Sequence, residues 1–210
     1  MKKLFLLAGV MMTLALGTAS ANDYNDVAGV SVSLSERPRV EAKINAMLAK
    51  DVARAQYAGA QLLAKEAPAT GPVADHWQMY SQQVTYQSDR YLSVVAKGTS
   101  FDGGAHPDTQ WRAWVFDKQN GQTVKLADFL GERSNAATNR LVRAYVQRAL
   151  AARAIEYWPE ELAKATAVYN DLPYYLNDHG DAVVIFNPAQ IAPYATGVLE
   201  VVVPARLQHN

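Results

Sequence analysis

A tight bend is encoded by Ser100-Phe101-Asp102-Gly103-Gly104-Ala105-His106-Pro107, which joins two strand-like segments. Glycine adopts positive φ at no steric cost, and a proline keeps the residue before it out of the helical conformation. The two adjacent glycines and Pro107 therefore predict a constrained turn that orients His106. If His106 only supports the turn, the chain is a binding protein; if His106 takes part in chemistry, the chain is an enzyme.

The segments around this bend predict β-strands, because apolar or aromatic residues alternate with polar ones. The predicted strands are 77–86, 91–97, 109–117, 174–176, 182–187 and 198–203. Asn120-Gly121 and Asp178-His179-Gly180 are typical of turns between strands. Short connections of this kind favour antiparallel pairing, since parallel neighbours need long crossovers.

Two longer segments have the spacing of amphipathic helices. The first follows Pro38 and runs to about residue 66, and the second covers about 136–155. A short strand is predicted over 30–34, and Glu160-Glu161 indicates a short third helix. This order of elements predicts an α+β fold, with a largely antiparallel sheet and the two main helices packed on one face.

The first 21 residues have the features of a secretory signal peptide. Lys2 and Lys3 precede an apolar run that ends before Ala19-Ser20-Ala21. We expect cleavage after Ala21 and export to a periplasm or the outer surface. An uncleaved anchor is the alternative, but the apolar run is short for a bilayer, so we expect no membrane span in the mature chain.

Residues 22–210 are predicted to form a single domain. Its N-terminal strand–helix part covers about 24–66, and its C-terminal sheet–helix part covers about 76–207. Half of the sequence is hydrophobic, which is enough for one core of ordinary size. We find no internal repeat and no long linker.

Composition disfavours several classes of function. The chain has 20 basic and 20 acidic residues, so no basic excess supports nucleic-acid binding. Without cysteine there are no disulfides or thiolate ligands, and the four histidines lack metal-ligand spacing. We expect no cofactor and no metal site. The sequence leaves the oligomeric state open.

An envelope hydrolase acting on peptidoglycan or another glycan is one alternative, with His106 and Asp102 as acid and base. The sequence has no nucleophile-elbow serine and no phosphate-binding glycine loop. A turn histidine that contacts backbone or packs on Trp111 is the simpler interpretation, so we predict no catalytic residues. A purely structural or assembly role is a further alternative.

Aromatic and acidic residues favour a binding function. The 11 tyrosines and 4 tryptophans lie largely along predicted strands, where alternation exposes some of them. Residues 165–205 contain four acidic residues and no Lys or Arg. If the C-terminal turn lies beside the central bend, one end of the sheet is acidic and attracts a basic partner. The candidate contact residues are Asp102, Gly103, Gly104, His106, Asp108, Asp178 and His179.

Several motifs resemble the extracellular, lysozyme-binding domain of RsiV-type anti-sigma factors. They are Gly103-Gly104-Ala105-His106, Phe186-Asn187-Pro188 and Ile191-Ala192-Pro193-Tyr194-Ala195. The same unit, a domain of unknown function, also accompanies peptidoglycan deacetylase domains. The resemblance implies a cell-envelope binding protein whose ligand is a lysozyme-like muramidase or peptidoglycan itself. The sequence shows no sigma-binding segment and no deacetylase domain, so we expect no anti-sigma signalling across a membrane.

Overall fold

The computed structural model describes residues 25–64, 76–131, 135–168 and 172–205. The predicted signal peptide lies outside these residues. In the described ranges, no helix combines the length and apolar character needed to cross a membrane. The elements are β1 Asn25–Ala28, α1 Pro38–Leu63, β2 His76–Gln87, β3 Tyr91–Asp102, β4 Asp108–Asp117, β5 Gln122–Thr123, α2 Leu126–Phe129, α3 Asn135–Ala152, α4 Pro159–Val168, β6 Tyr174–Leu176, β7 Ala182–Phe186 and β8 Leu199–Val203.

The strands form two sheets. The first has five strands in the order β1-β2-β3-β4-β5, and the second has three in the order β6-β7-β8. All neighbouring strands pair antiparallel except β1, which runs parallel to β2. The predicted α+β class is confirmed. The strands that we expected in one sheet are divided between two.

The helix α1 packs on the five-stranded sheet. It begins at Pro38, close to the predicted start, and proline is tolerated there because the first helical position needs no N–H donor. Ile44 and Leu48 are fully buried in a cluster with Leu92 and Phe116 of the sheet. This apolar cluster fixes the N-terminal half of α1 against β3 and β4.

The helix α3 belongs to a second core. Val146 and Leu150 are buried in a cluster with Val184 and Val201 of the three-stranded sheet. Val115 of β4 belongs to the same cluster. The two main helices therefore contact different sheets, and the second core also reaches the first sheet.

The strand predicted over residues 30–34 is not formed, although Val32 and Leu34 are buried as the alternation indicates. The Asn45 side chain of α1 accepts a hydrogen bond from the Val32 N–H at 2.9 Å and donates one to the Val32 carbonyl at 2.8 Å. Glu41 accepts a hydrogen bond from the Leu34 N–H at 2.6 Å. Helix side chains thus replace the neighbouring strand that this segment would need.

Candidate functional site

The predicted bend forms the tip of the β3–β4 hairpin, which we define as residues 101–107. Ser100 pairs with Asp108 at its base, and residues 102–106 are exposed. Gly103 has a φ of 82°, in the left-handed region that favours glycine, whereas Gly104 does not use this conformation. The predicted constrained turn is therefore present, and of its two glycines Gly103 is the one that adopts the left-handed conformation.

His106 stacks on Tyr194 at the hairpin tip. The two ring centroids are 3.7 Å apart, and the ring planes differ by 20°. His106 Nδ1 lies 3.2 Å from the carbonyl oxygen of Pro107, and the Tyr194 hydroxyl donates a hydrogen bond to that oxygen. The Gly-Gly-Ala-His motif and the motif containing Tyr194 therefore meet in space. The ring that packs on His106 is Tyr194 and not Trp111.

The structure does not assemble an acid–base pair around His106. Its ring is exposed, and across the described ranges its polar and ring contacts are with Pro107 and Tyr194. Asp102 is also exposed and makes no hydrogen bond with the imidazole. No group of three or more His, Asp or Glu side chains in the described ranges could hold a metal ion. This geometry gives the hydrolase hypothesis no support.

Asp178 and His179 lie in the turn between β6 and β7. The Asn177 side-chain oxygen shapes this turn by accepting hydrogen bonds from the N–H groups of His179 and Asp181 at 3.0 and 2.9 Å. The side chains of His179 and Asp178 are 77% and 82% exposed, with 3.6 Å between His179 Nε2 and Asp178 Oδ1. Both residues are accessible to a partner.

The β6–β7 turn does not lie beside the hairpin tip, so the expected single acidic edge is wrong. Gly180 lies against the Tyr86 ring, whereas Asp102 pairs with His76 at the opposite end of β2. Ten residues of strand at about 3.3 Å per residue separate the two places by about 30 Å.

Contacts between the sheets explain this separation. The Leu176 N–H donates a hydrogen bond to Ser93 Oγ at 2.8 Å. The Asn187 side chain bonds the N–H and the carbonyl of Trp111, at 2.7 and 3.2 Å. The chain from Leu176 to Tyr194 therefore runs along the five-stranded sheet, and only its later part reaches the hairpin tip.

A buried polar network that was not predicted from the sequence lies between α1 and the sheet. Asp51 of α1 is 4% exposed. It accepts a hydrogen bond from the Tyr80 hydroxyl, and its Oδ1 forms an ion pair with Arg112 Nη1 at 2.9 Å. Gln82 donates hydrogen bonds to the Tyr80 hydroxyl at 2.9 Å and to the Leu48 carbonyl at 3.1 Å. A buried carboxylate requires partners of this kind.

The register of α1 contained a signal for this network. Asp51 follows Leu48 by three residues and precedes Ala55 by four, so it occupies the apolar stripe of the helix. The side-chain pattern of β2 did not indicate which residues join the network, because polar Gln82 is buried while apolar Met79 is exposed. The sequence signal for the buried network was therefore a charged residue within the apolar stripe of a helix.

Tyr80 is the proton donor in the network. Burial raises the pKa of Tyr80 well above its ordinary value, and the hydrogen bond to Asp51 raises it further. The phenol therefore stays protonated at neutral pH and continues to donate to the carboxylate.

An open groove of about 260 Å³ adjoins the network on the hairpin side of α1. We call it the α1 groove and define it by Arg54, Ala58, Asp108, Gln110 and Arg112. Its volume is close to the lower end of the range for small-ligand sites. The groove and the hairpin tip are neighbours, because Asp108 closes the hairpin and also lines the groove.

Two family models match separate parts of the chain. Residues 29–109 match the model described as deacetylase PdaC, and residues 127–206 match a protein family of unknown function, DUF3298. The first match contains α1 and His106, and the second contains the three-stranded sheet and Tyr194. The contact between His106 and Tyr194 therefore joins the two matched parts. No curated protein matches the sequence.

Two crystal structures of DUF3298-family proteins are similar in fold. The one from Bacteroides fragilis NCTC 9343 has a TM-score of 0.58 and 15% identity, over 87% of this chain and 82% of that chain. The one from Pseudomonas aeruginosa PAO1 has a TM-score of 0.60 and 14% identity, over 95% of this chain and 90% of that chain. At such identities the likeness establishes the fold alone. The family matches indicate a protein associated with the cell envelope, and they give no ligand for it.

Proposed function

We propose that this protein is an exported, non-catalytic binding protein of the cell envelope whose hairpin tip contacts a lysozyme-like muramidase. Residues 22–210 form the mature domain in this proposal, after cleavage at Ala21. The main support for this proposal is the structure of the hairpin tip, which is exposed but held in place by Tyr194. A surface that is ordered before binding loses little conformational entropy when a partner docks.

The charge of the tip suits a basic partner. Residues 98–111 contain Asp102 and Asp108 and no Lys or Arg, and both aspartates are exposed. Acidic surfaces of this kind accelerate the encounter with basic proteins and suppress acidic competitors. Hen lysozyme, a basic muramidase, is therefore the appropriate probe.

The β6–β7 turn is the other place where predicted contact residues, Asp178 and His179, are accessible. Because about 30 Å of strand separates this turn from the tip, we assign the main contact to Asp102, Gly103, Gly104, His106 and Asp108. The turn then provides a matched comparison with another exposed aspartate, Asp178.

Binding of hen lysozyme at low salt, measured by biolayer interferometry, tests the proposal. We expect Asp102→Lys to weaken binding about tenfold, because it reverses a charge at the contact. Asp178→Lys makes the same change of charge at the distant turn and is expected to alter binding less than about twofold. Absence of binding by the native protein would exclude the muramidase, and a larger loss for Asp178→Lys would exclude the tip as the contact.

Peptidoglycan is the second candidate ligand, and the α1 groove is the observation that favours it. Arg112, Gln110 and Asp108 offer donors and acceptors that suit the carboxylate, amide and hydroxyl groups of a peptide-linked glycan. Co-sedimentation with purified sacculi tests this ligand directly. We expect the muropeptide profile of the sacculi to stay unchanged after prolonged incubation, since a binding protein does not cleave its ligand; new fragments would support a hydrolase.

A further inference from the structure

Arg112 is held in a fixed position by a buried carboxylate. Asp51 is itself fixed, because α1 buries it and Tyr80 donates a hydrogen bond to its other oxygen. The distance of 2.9 Å between Asp51 Oδ1 and Arg112 Nη1 therefore places the guanidinium at one position on the floor of the α1 groove. A surface arginine without such support would lose much more side-chain entropy on binding a ligand.

The guanidinium of Arg112 retains donors for a ligand. An arginine has five N–H donors, and the ion pair with Asp51 is the polar contact of this side chain in the described ranges. The side chain is 45% exposed, so the other donors are accessible from the groove. Two parallel N–H donors of a guanidinium match the two oxygens of a carboxylate.

Arg54 brings a second positive charge to the same part of the groove. It follows Asp51 by three residues on α1, is exposed, and makes no hydrogen bond or ion pair with any residue that the structure describes. Ala55 and Ala58 beside it have short side chains, which leave the groove open. Because Asp51 neutralises only one of the two arginines, this end of the groove has a net positive charge.

The other end of the groove is acidic. Asp108 lies on the same face of β4 as Arg112, four residues earlier, which corresponds to about 13 Å along the strand. Gln110 lies between them, with its Nε2 3.5 Å from Asp108 Oδ1. The groove therefore presents a positive end, an amide in the middle and a negative end. An extended tripeptide is about 10 Å long. Its positive amino end and negative carboxyl end complement the acidic and basic ends of the groove.

We infer that the α1 groove binds the C-terminal end of a short, extended peptide, with the terminal carboxylate on Arg112 and Arg54 and the amino end at Asp108. This inference goes beyond the proposed muramidase contact, because it depends on two arginines outside the hairpin tip. It concerns the same groove as the second candidate ligand, peptidoglycan, and specifies that a peptide carboxylate is the group bound there.

The test is an NMR titration of the ¹⁵N-labelled protein with a pooled tripeptide library, prepared once as free acids and once as C-terminal amides. We expect the free-acid pool to shift the backbone amides of residues 54–58, 98–100 and 108–112. The amide pool should need about tenfold higher concentration for the same shifts, because it lacks the carboxylate that the guanidinium groups recognise. No shifts with the free acids, or equal shifts with both pools, would overturn the inference.

Variants of the two arginines test their roles separately. Arg54→Gln removes an exposed charge, and Arg112→Lys keeps the ion pair with Asp51 but loses the planar fork. We expect each variant to weaken binding of the free-acid pool at least about fivefold. Arg39→Gln removes another exposed charge, from the first turn of α1, and should leave the titration unchanged.

Unchanged affinity in both Arg54→Gln and Arg112→Lys would overturn the assignment of the carboxylate. Thermal unfolding of each variant shows whether the fold is kept, and Arg54→Gln serves if Arg112→Lys unfolds. Neither substitution lies in the hairpin tip, so hen lysozyme binding by the same variants separates a failure of this inference from a failure of the muramidase proposal.

Discussion

Asp51 places a negative charge where the apolar stripe of α1 predicts a hydrophobic side chain. Isolated burial of a carboxylate costs several kcal/mol, and Tyr80 and Arg112 offset this cost. Because the side chain of Arg112 is 45% exposed, solvent screens part of the attraction. The complete network therefore contributes only modestly to the stability of the fold, whereas removal of one partner is strongly destabilising.

Asp51→Ala is expected to lower the free energy of unfolding by about 2–3 kcal/mol, because the Tyr80 hydroxyl and the guanidinium lose their shared acceptor. Urea unfolding followed by circular dichroism measures this change. Asp26→Ala is the control, because Asp26 is exposed on β1 and its loss should change the free energy by less than about 0.5 kcal/mol. Equal effects of the two substitutions would contradict the role of Asp51.

Buried tyrosines make stability depend on alkaline pH. Burial raises the pKa of Tyr174, and its hydroxyl donates a hydrogen bond to the Val124 carbonyl at 2.9 Å. The raised pKa means that the folded chain keeps a proton that the unfolded chain loses above about pH 10. The stabilisation is therefore complete below pH 10 and decreases as the pH rises further.

We expect the free energy of unfolding to fall above pH 10, with Tyr174 contributing up to about 1.4 kcal/mol per pH unit. Urea unfolding at several values between pH 9 and pH 11 measures the slope. Tyr174→Phe should make the slope shallower by about this amount, whereas Tyr57→Phe, at a position 68% exposed, should leave it unchanged. Identical slopes for native protein and Tyr174→Phe would refute the assignment.

At the scale of elements, helices and strands could be predicted from long periodic patterns, but the hydrogen-bond partners of the backbone could not. The helix after Pro38 and the strands around the hairpin tip were predicted from alternation and spacing, which report burial. The segment 30–34 has the burial of a strand, yet its backbone bonds to Asn45 and Glu41. Alternation alone cannot show whether a backbone group meets a neighbouring strand or a side chain from a helix.

The hairpin tip owes its order to Tyr194, which lies on the segment between β7 and β8. Tyr194→Ala removes both the ring that stacks on His106 and the hydroxyl that bonds to Pro107. We expect hydrogen exchange at residues 98–100 and 108–110, which pair at the base of the hairpin, to become about tenfold faster, which corresponds to about 1.4 kcal/mol of local stability. Tyr194→Phe keeps the stacking and should show a smaller increase. Unchanged exchange in Tyr194→Ala would mean that the tip is ordered by other contacts.

At the scale of the whole molecule, the packing of the two sheets decides which candidate residues share a surface. The sequence singled out the hairpin tip and the β6–β7 turn, but their separation depends on contacts such as those of Leu176 with Ser93 and Asn187 with Trp111. These contacts join residues far apart in the chain, so no local pattern predicts them. The α1 groove was missed for the same reason, since Asp51 and Arg112 meet only in the folded chain.

The two-sheet arrangement leaves the hairpin tip and the β6–β7 turn as independent surfaces on one protein. The tip carries two exposed aspartates at or next to a turn that the stacking of His106 on Tyr194 holds in place. This explains why we place the contact with a muramidase there. It also means that a partner bound at the tip should leave the distant turn accessible.

Hydrogen exchange of the native protein with and without saturating hen lysozyme, read out by mass spectrometry, tests this placement most directly. The predicted result is slower exchange of residues 101–108 and of the segment around Tyr194 in the complex, with residues 177–181 unchanged. Protection of residues 177–181 without protection of the hairpin tip would contradict the account.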